Sequence, residues 1–257
     1  MKLNYVCEGE GEAVVLIHGL SDNLNYWEIL AGTLKNNFKV IRFDLRGHGK
    51  SQLGNDDITV DLYADDLKNI LDELNVSKVN LVGFSLGGCV ALDFAVRYPS
   101  QVSSIVLMSS CARVSFHSQG VLNQFLDALD DGFEEFYDLI LPMVLCPDVI
   151  LKNKDELDFL KEVSLQTADV DAFKKAIHAM MQFDVFDNLC DIEVPVMVLG
   201  GKYDEITPID EQIELSDNVK NSKAVVFDDV KHNLLVGKNV VRVCDVLIDF
   251  LKNNKKK

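Results

Sequence analysis

Six short apolar runs constrain this chain more than any other feature. Residues 13–18, 38–44, 79–84, 102–109, 194–200 and 222–227 are mostly unbroken stretches of Val, Ile, Leu and Phe. A half-solvated strand alternates apolar and polar side chains, whereas continuous runs suit strands buried on both faces of a parallel sheet. Helical patterns lie between them at 26–36, 60–74 and 86–97, with another at 240–251. Residues 60–74 put Leu62, Leu67, Ile70, Leu71 and Leu74 on one stripe and acids on the other. Residues 86–97 stop before Tyr98-Pro99, where proline cannot continue a helix. Alternating strand and helix predicts an α/β fold, an open and mostly parallel sheet with helices on both faces. Residues 2–7 suit an antiparallel edge strand.

From about Arg113 to Cys190 the alternation breaks. Helical stretches follow one another at 121–131, 133–145, 157–167 and 169–181. Helices inserted between two sheet strands sit over the strand ends as a cap. No Gly/Ser/Pro-rich linker brackets them. The expected organisation is a core of residues 1–112 and 191–257 with a helical cap, 113–190, in the same domain.

With 257 residues, 48% of them hydrophobic, the chain can bury a sizeable core. Its formal charge of −16 repels phosphate backbones and anionic lipid, which argues against nucleic acid or a membrane surface as partner. The basic tail Lys252–Lys257 reads as a frayed, solvated end. No N-terminal apolar stretch of signal-peptide length and no run of roughly 20 apolar residues is present, so a cytoplasmic protein is expected, monomer or homodimer. Six cysteines lie at 7, 89, 111, 146, 190 and 244, none in C-x-x-C spacing. Reduced thiols fit better than disulfides, and Cys89, Cys111, Cys190 and Cys244 fall among apolar neighbours. No His or Cys spacing points to a metal, and no cofactor is expected.

The stretch VNLVGFSLGGC, residues 79–89, carries the chemistry. A G-x-S-x-G pattern arises by accident in roughly one chain of this length in ten, so its setting has to decide. A nucleophile elbow needs a strand running into a helix through a sharp turn, and Gly83-Phe84-Ser85-Leu86-Gly87 lies at such a junction. Gly83 and Gly87 allow the strand and helix backbones to approach. Ser85 then stands at the carboxyl end of the sheet, where open α/β folds bind ligands. Serine needs a base. Of five histidines, only His232 follows the last strand, which brings it to the same sheet edge. Asp204 follows the strand 194–200 and is the candidate to orient the imidazole. Glu205 is one residue too far, and Asp228 and Asp229 are expected on the loop's outer face. The order Ser85, Asp204, His232 is nucleophile, acid, base. The Leu86 amide and an amide of the loop after residue 18, with Leu20 preferred over Ser21, are the candidate oxyanion donors.

With these residues in place, His18-Gly19, Phe43-Asp44-Leu45-Arg46-Gly47-His48-Gly49-Lys50-Ser51, GFSLGG, Gly200–Pro208 and His232 resemble the α/β-hydrolase superfamily, in its small serine esterase, lactonase and acyl-hydrolase branch. The resemblance implies an eight-stranded sheet with an early antiparallel strand, and the Leu20 amide as an oxyanion donor. The expected function is hydrolysis of a small-molecule carboxylic ester through an acyl-enzyme. Alternatives are a lactonase or thioesterase, a lyase or acyltransferase such as the menaquinone-pathway synthase of this fold, or a non-catalytic ligand-binding protein. Asn233 after the base lowers a carbon–carbon hydrolase reading. Gly49-Lys50-Ser51 is not a P-loop, since Asp44 stands where its first glycine belongs. Asp44, Arg46 and His48 read as loop scaffolding and Trp27 as core. Phe125, Phe136, Met143, Met180, Met181 and Phe183 read as core residues that could also line an acyl pocket.

Overall fold

The computed structural model describes residues 2–254. Seven strands form one sheet: β1 (Tyr5–Glu8), β2 (Ala13–Ile17), β3 (Lys39–Phe43), β4 (Val79–Phe84), β5 (Val102–Met108), β6 (Val196–Gly201) and β7 (Ser222–Phe227). Their spatial order is β1-β3-β2-β4-β5-β6-β7, with β1 antiparallel to β3 and every other pair parallel. Strands β2, β4 and β6 are buried at every position, as their unbroken apolar runs require.

The expected eighth strand is absent among the described residues. The chain ahead of β1 is committed elsewhere: the Asn4 amide donates to Ser51 Oγ at 2.9 Å, and its carbonyl accepts from the Asp44 amide at 2.9 Å. Asn4 therefore closes the loop after β3 and adds no ladder to the sheet.

Side chains alternate between two cores along each strand. Val15, Ile17, Leu81 and Leu107 point to one face, and Val14, Leu16, Val82 and Val106 to the other. Helices α2 (Val60–Glu73) and α3 (Leu86–Arg97) cover the first face. The second is covered by α1 (Glu28–Leu34) and α10 (Val240–Asn253). Each large side chain fully buried in these layers stabilises by about 1.5–3 kcal/mol. Thr59 caps α2 by accepting from the Leu62 amide at 3.2 Å. Leu67, Ile70 and Leu71 of its stripe are buried, Leu62 and Leu74 lie at the margin, and Tyr63 joins the core. Trp27, in the turn before α1, is fully buried.

Five helices separate β5 from β6: α4 (Phe116–Asp131), α5 (Phe133–Val144), α6 (Pro147–Lys152), α7 (Lys154–Thr167) and α8 (Val170–Met181). Helix α4 starts earlier than its apolar pattern because Ser115 caps it, accepting from the Ser118 amide at 3.1 Å, while Phe116 stays exposed. Aromatic contacts knit α4, α5 and α8 together, Phe125 meeting Phe136 edge-on at 5.5 Å and Phe133 meeting Phe173 at 5.9 Å. Helix α7 buries no residue fully. After β6 comes α9 (Ile209–Asp217), an acidic helix with too few apolar residues to show a stripe. Cys190 is exposed in a 3-10 turn, contrary to the burial its neighbours suggest. Among the described residues no helix is long and apolar enough to cross a membrane.

Candidate active site

The parallel register levels the carboxyl ends of the central strands. Ile17 pairs with Gly83, Phe84 with Met108, Met108 with Leu199, and Gly201 with Phe227. Residues just beyond these positions therefore meet along one edge of the sheet.

Ser85 is the turn between β4 and α3. Its backbone sits at φ 51° and ψ −117°, a region side chains rarely occupy, at a strain of about 1–3 kcal/mol. Backbone contacts hold it there: the Ser85 amide donates to the Met108 carbonyl at 2.9 Å, and the Gly88 amide donates to the Ser85 carbonyl at 2.8 Å. A Cβ at Gly83 would collide with the Gly87 carbonyl, and one at Gly87 with the Ile17 carbonyl. The two glycines therefore permit the crossing of strand and helix that makes the turn.

His232 lies in the loop after β7, 3% exposed, with its ring 5.2 Å from that of Phe84. Its Nδ1 is 2.9 Å from each carboxylate oxygen of Asp204. An ionised carboxylate only accepts, so Nδ1 is the donor to Asp204, and in the neutral tautomer the lone pair lies on Nε2. Asp204 is held in turn by the Ile206 and Thr207 amides at 2.9 Å, the Thr207 hydroxyl at 2.8 Å and Gln212 Nε2 at 3.1 Å. Burial pushes the Asp204 carboxyl up, but the His232 charge and the hydrogen bonds from His232 and Thr207 outweigh it. Its pKa lies below the usual carboxylate value.

The Leu20 and Leu86 amides donate to no acceptor within the described chain. Leu86 opens α3, where the first amides have no helical partner and the dipole favours negative charge. Leu20 and Ser85 border one cavity. Ser21, the neighbouring alternative, has φ 60°.

That cavity measures about 440 Å³, within the usual range for small-molecule sites. Ser85 and His232 both open into it, beneath residues of α4, α5, α7 and α8. Phe125, Phe136 and Met180 line it, whereas Met143, Met181 and Phe183 do not. Trp27 is core only. Glu205 lies outside it and pairs with Lys231 at 2.5 Å. No Lys or Arg lines it among the described residues; Arg113 stacks on Phe186 and pairs with Glu214 instead.

The loop after β3 is scaffold in this structure. Asp44 accepts from the Leu24 and Lys50 amides at 2.8 Å, and Arg46 forms a two-pronged ion pair with Asp66 at 2.8 and 2.7 Å. His18 Nε2 accepts from the Leu45 amide at 2.9 Å. Burial, then the charge of His48, holds the His18 pKa down at about 3; burial holds that of His48 at about 4.

Four supporting residues escape sequence reasoning. Ser109 Oγ donates to the His232 carbonyl at 2.7 Å, and Ser110 Oγ to the Ser85 carbonyl at 2.8 Å. Thr207 and Gln212 clamp Asp204. The Asp-x-x-Thr spacing before Pro208 is a signal for the Thr207 turn, since Asp side chains accept from amides two and three residues on. The others carry no local signal.

A strained serine and a buried His–Asp pair thus open into one cavity at the end of a parallel sheet. The chain belongs to the α/β hydrolase fold family, whose model matches residues 12–149. It is similar to an uncharacterized protein of Mycobacterium tuberculosis, 40% identical over 102 residues. Those residues are 40% of this chain and only 30% of that protein's length. A longer match is the Variovorax paradoxus protein named "Putative carbamate hydrolase RutD", 30% identical over 230 residues, 86% of this chain and 85% of the relative. Among solved structures, a thermophilic esterase from Thermogutta terrifontis with malate bound superposes at a TM-score of 0.89. It is 25% identical, covering 99% of this chain and 94% of that one.

Proposed function

We propose that this protein is a serine hydrolase that cleaves a carboxylic ester of a small to medium substrate through an acyl-enzyme. The observation that carries this reading is the meeting of strained Ser85 with the Asp204-paired His232 across one apolar cavity. Ser85 Oγ attacks the carbonyl carbon while its proton passes to His232 Nε2. Asp204 holds the resulting imidazolium, and the Leu20 and Leu86 amides stabilise the oxyanion. The C–O bond then breaks and His232 returns the proton to the departing alcohol. Water, deprotonated by His232, attacks the acyl-serine; the bond from the acyl carbon to Ser85 Oγ breaks, His232 returns the proton to that oxygen, and the acid leaves. No cofactor is needed.

A carbamate is a second reading, favoured by the name of the Variovorax relative. Lactones and thioesters present a carbonyl to the same groups. Among the described residues no Lys or Arg lines the cavity, which speaks against the menaquinone-pathway type of substrate, whose several carboxylates need cationic partners.

Turnover of p-nitrophenyl butyrate by wild type and Ser85→Ala tests the mechanism. The variant should lose about 10⁴-fold or more in kcat; equal turnover by both would remove Ser85 from the reaction. A panel of ester, lactone, thioester, carbamate and amide then ranks the bond types, and carbamate outrunning ester overturns the ester assignment.

A further inference from the structure

One part of the cavity wall is chemically unlike the rest. The helices between β5 and β6 give it Leu122, Phe125, Phe136 and Met180, whereas the loop after β2 gives it Asp22 and Tyr26. Asp22 is the only carboxylate on the wall, and no Lys or Arg faces it, among the described residues. No described donor reaches its carboxyl. The turn that carries it is closed by backbone alone, the Asp22 amide donating to the Gly19 carbonyl at 3.4 Å. Asn or Ser would suit such a turn as well. A half-buried carboxyl that lines a cleft without a partner there is a candidate functional group.

Tyr26 adds an acceptor to the same wall. Its hydroxyl donates to Asn233 Oδ1 at 3.1 Å, and the Leu235 amide donates to the same oxygen at 3.1 Å. With its proton committed, the phenol oxygen offers only lone pairs. Burial, and then the charge of Asp22, push the Tyr26 phenol well above its ordinary range, so the proton stays. A ligand group that satisfies both residues must bring donors, and a positively charged donor also complements the Asp22 carboxylate.

We propose that Asp22 and Tyr26 form a subsite for a protonated amine, so that the substrate pairs an apolar part beneath the helices with an ammonium group beside the Ser85 loop. The inference rests on the hydrolase reading for the bond that is cleaved, and adds the substrate class. Burial raises the Asp22 pKa to about 7, so the subsite gains its charge as pH rises through neutrality. The other titratable groups on the wall are Tyr26, Tyr137 and His232. Both phenols are raised above their ordinary value and stay neutral in this range. The contribution of His232 is separated by comparing variants of Asp22.

The test is equilibrium binding of hexylammonium and 1-hexanol, by titration calorimetry at pH 6 and pH 8, to wild type, Asp22→Asn and Asp22→Ser. Circular dichroism establishes that both variants are folded. Wild type at pH 8 should prefer the ammonium by about tenfold, the scale of one charge-assisted hydrogen bond. The preference should shrink at pH 6 and vanish in both variants. Equal binding of the two probes by wild type at pH 8, or a preference kept by both variants, would overturn the subsite. The readout is independent of turnover. Loss of the ester reading in the Ser85→Ala assay would leave this subsite standing, and turnover without ammonium preference would remove the subsite alone.

Discussion

The Nδ1 atom of His232 is equidistant from the two carboxylate oxygens of Asp204, 2.9 Å from each. That bond fixes which imidazole nitrogen holds the proton in the neutral ring. Asp204→Asn replaces an acceptor-only group with one that also donates, and stabilises the wrong tautomer. In steady-state assays kcat should fall by about 10⁴-fold with KM little changed. A loss below tenfold would mean that the pair does not orient the base.

Thr207 supplies both an amide and a hydroxyl to Asp204. Thr207→Val keeps the shape and removes the hydroxyl, which should move the Asp204 pKa upward toward its ordinary value. A carboxyl depressed in the folded state stabilises above its unfolded pKa, and that stability is lost as pH falls through the depressed value. The acid-unfolding midpoint of Thr207→Val, followed by far-ultraviolet circular dichroism, should therefore lie at higher pH than that of wild type. An unchanged midpoint would show that the hydroxyl does not support the carboxylate.

Gly83 and Gly87 act through backbone proximity. A methyl group at Gly83 has nowhere to go but into the Gly87 carbonyl. Gly83→Ala should cost about 3 kcal/mol of stability, at the upper end for overpacking. Chemical denaturation checks this, and a cost below about 1 kcal/mol would mean that the elbow tolerates a wider crossing.

Two buried histidines and one half-buried acid set opposing pH trends. His18 and His48, held at about 3 and about 4, stay neutral while the unfolded chain takes up protons below about 6.5. Their effect is stability that falls as pH falls. Asp22, held at about 7, keeps its proton while the unfolded chain has released it, so its effect is stability that falls as pH rises from about 4 to about 7. Two protons against one decide the sign, each worth at most about 1.4 kcal/mol per pH unit. Tm should drop between pH 6.5 and pH 4.5, less steeply in His48→Gln and more steeply in Asp22→Asn. The same slope in all three proteins would contradict these protonation states.

Most of the inner sheet is legible in the sequence because parallel strands must be apolar on both faces, and β2, β4 and β6 are. The edge is less so: β1 is Tyr5–Glu8 where 2–7 suggests it, and the eighth strand is missing because Asn4 bonds the loop at Asp44 and Ser51. Ser85, Asp204 and His232 can be picked out because residues at the carboxyl edge come soon after strand ends, here one, three and five residues past β4, β6 and β7. Ser109 and Gln212 cannot. Ser109 acts on a carbonyl 123 residues away, and Gln212 reaches Asp204 from α9, a helix without an apolar stripe. Asp22 is equally silent, since an acid in a polar turn shows its meaning only when the helices beyond β5 close a cavity over it.

The central claim is that Ser85 is a nucleophile activated by His232. Intact-protein mass spectrometry after treatment with a fluorophosphonate probe tests it most directly, with wild type, Ser85→Ala and His232→Ala treated side by side. One adduct on wild type, mapped to Ser85 after proteolysis, none on Ser85→Ala and much slower labelling of His232→Ala are the predicted results. Wild type that stays unlabelled, or an adduct that persists in Ser85→Ala, would contradict it.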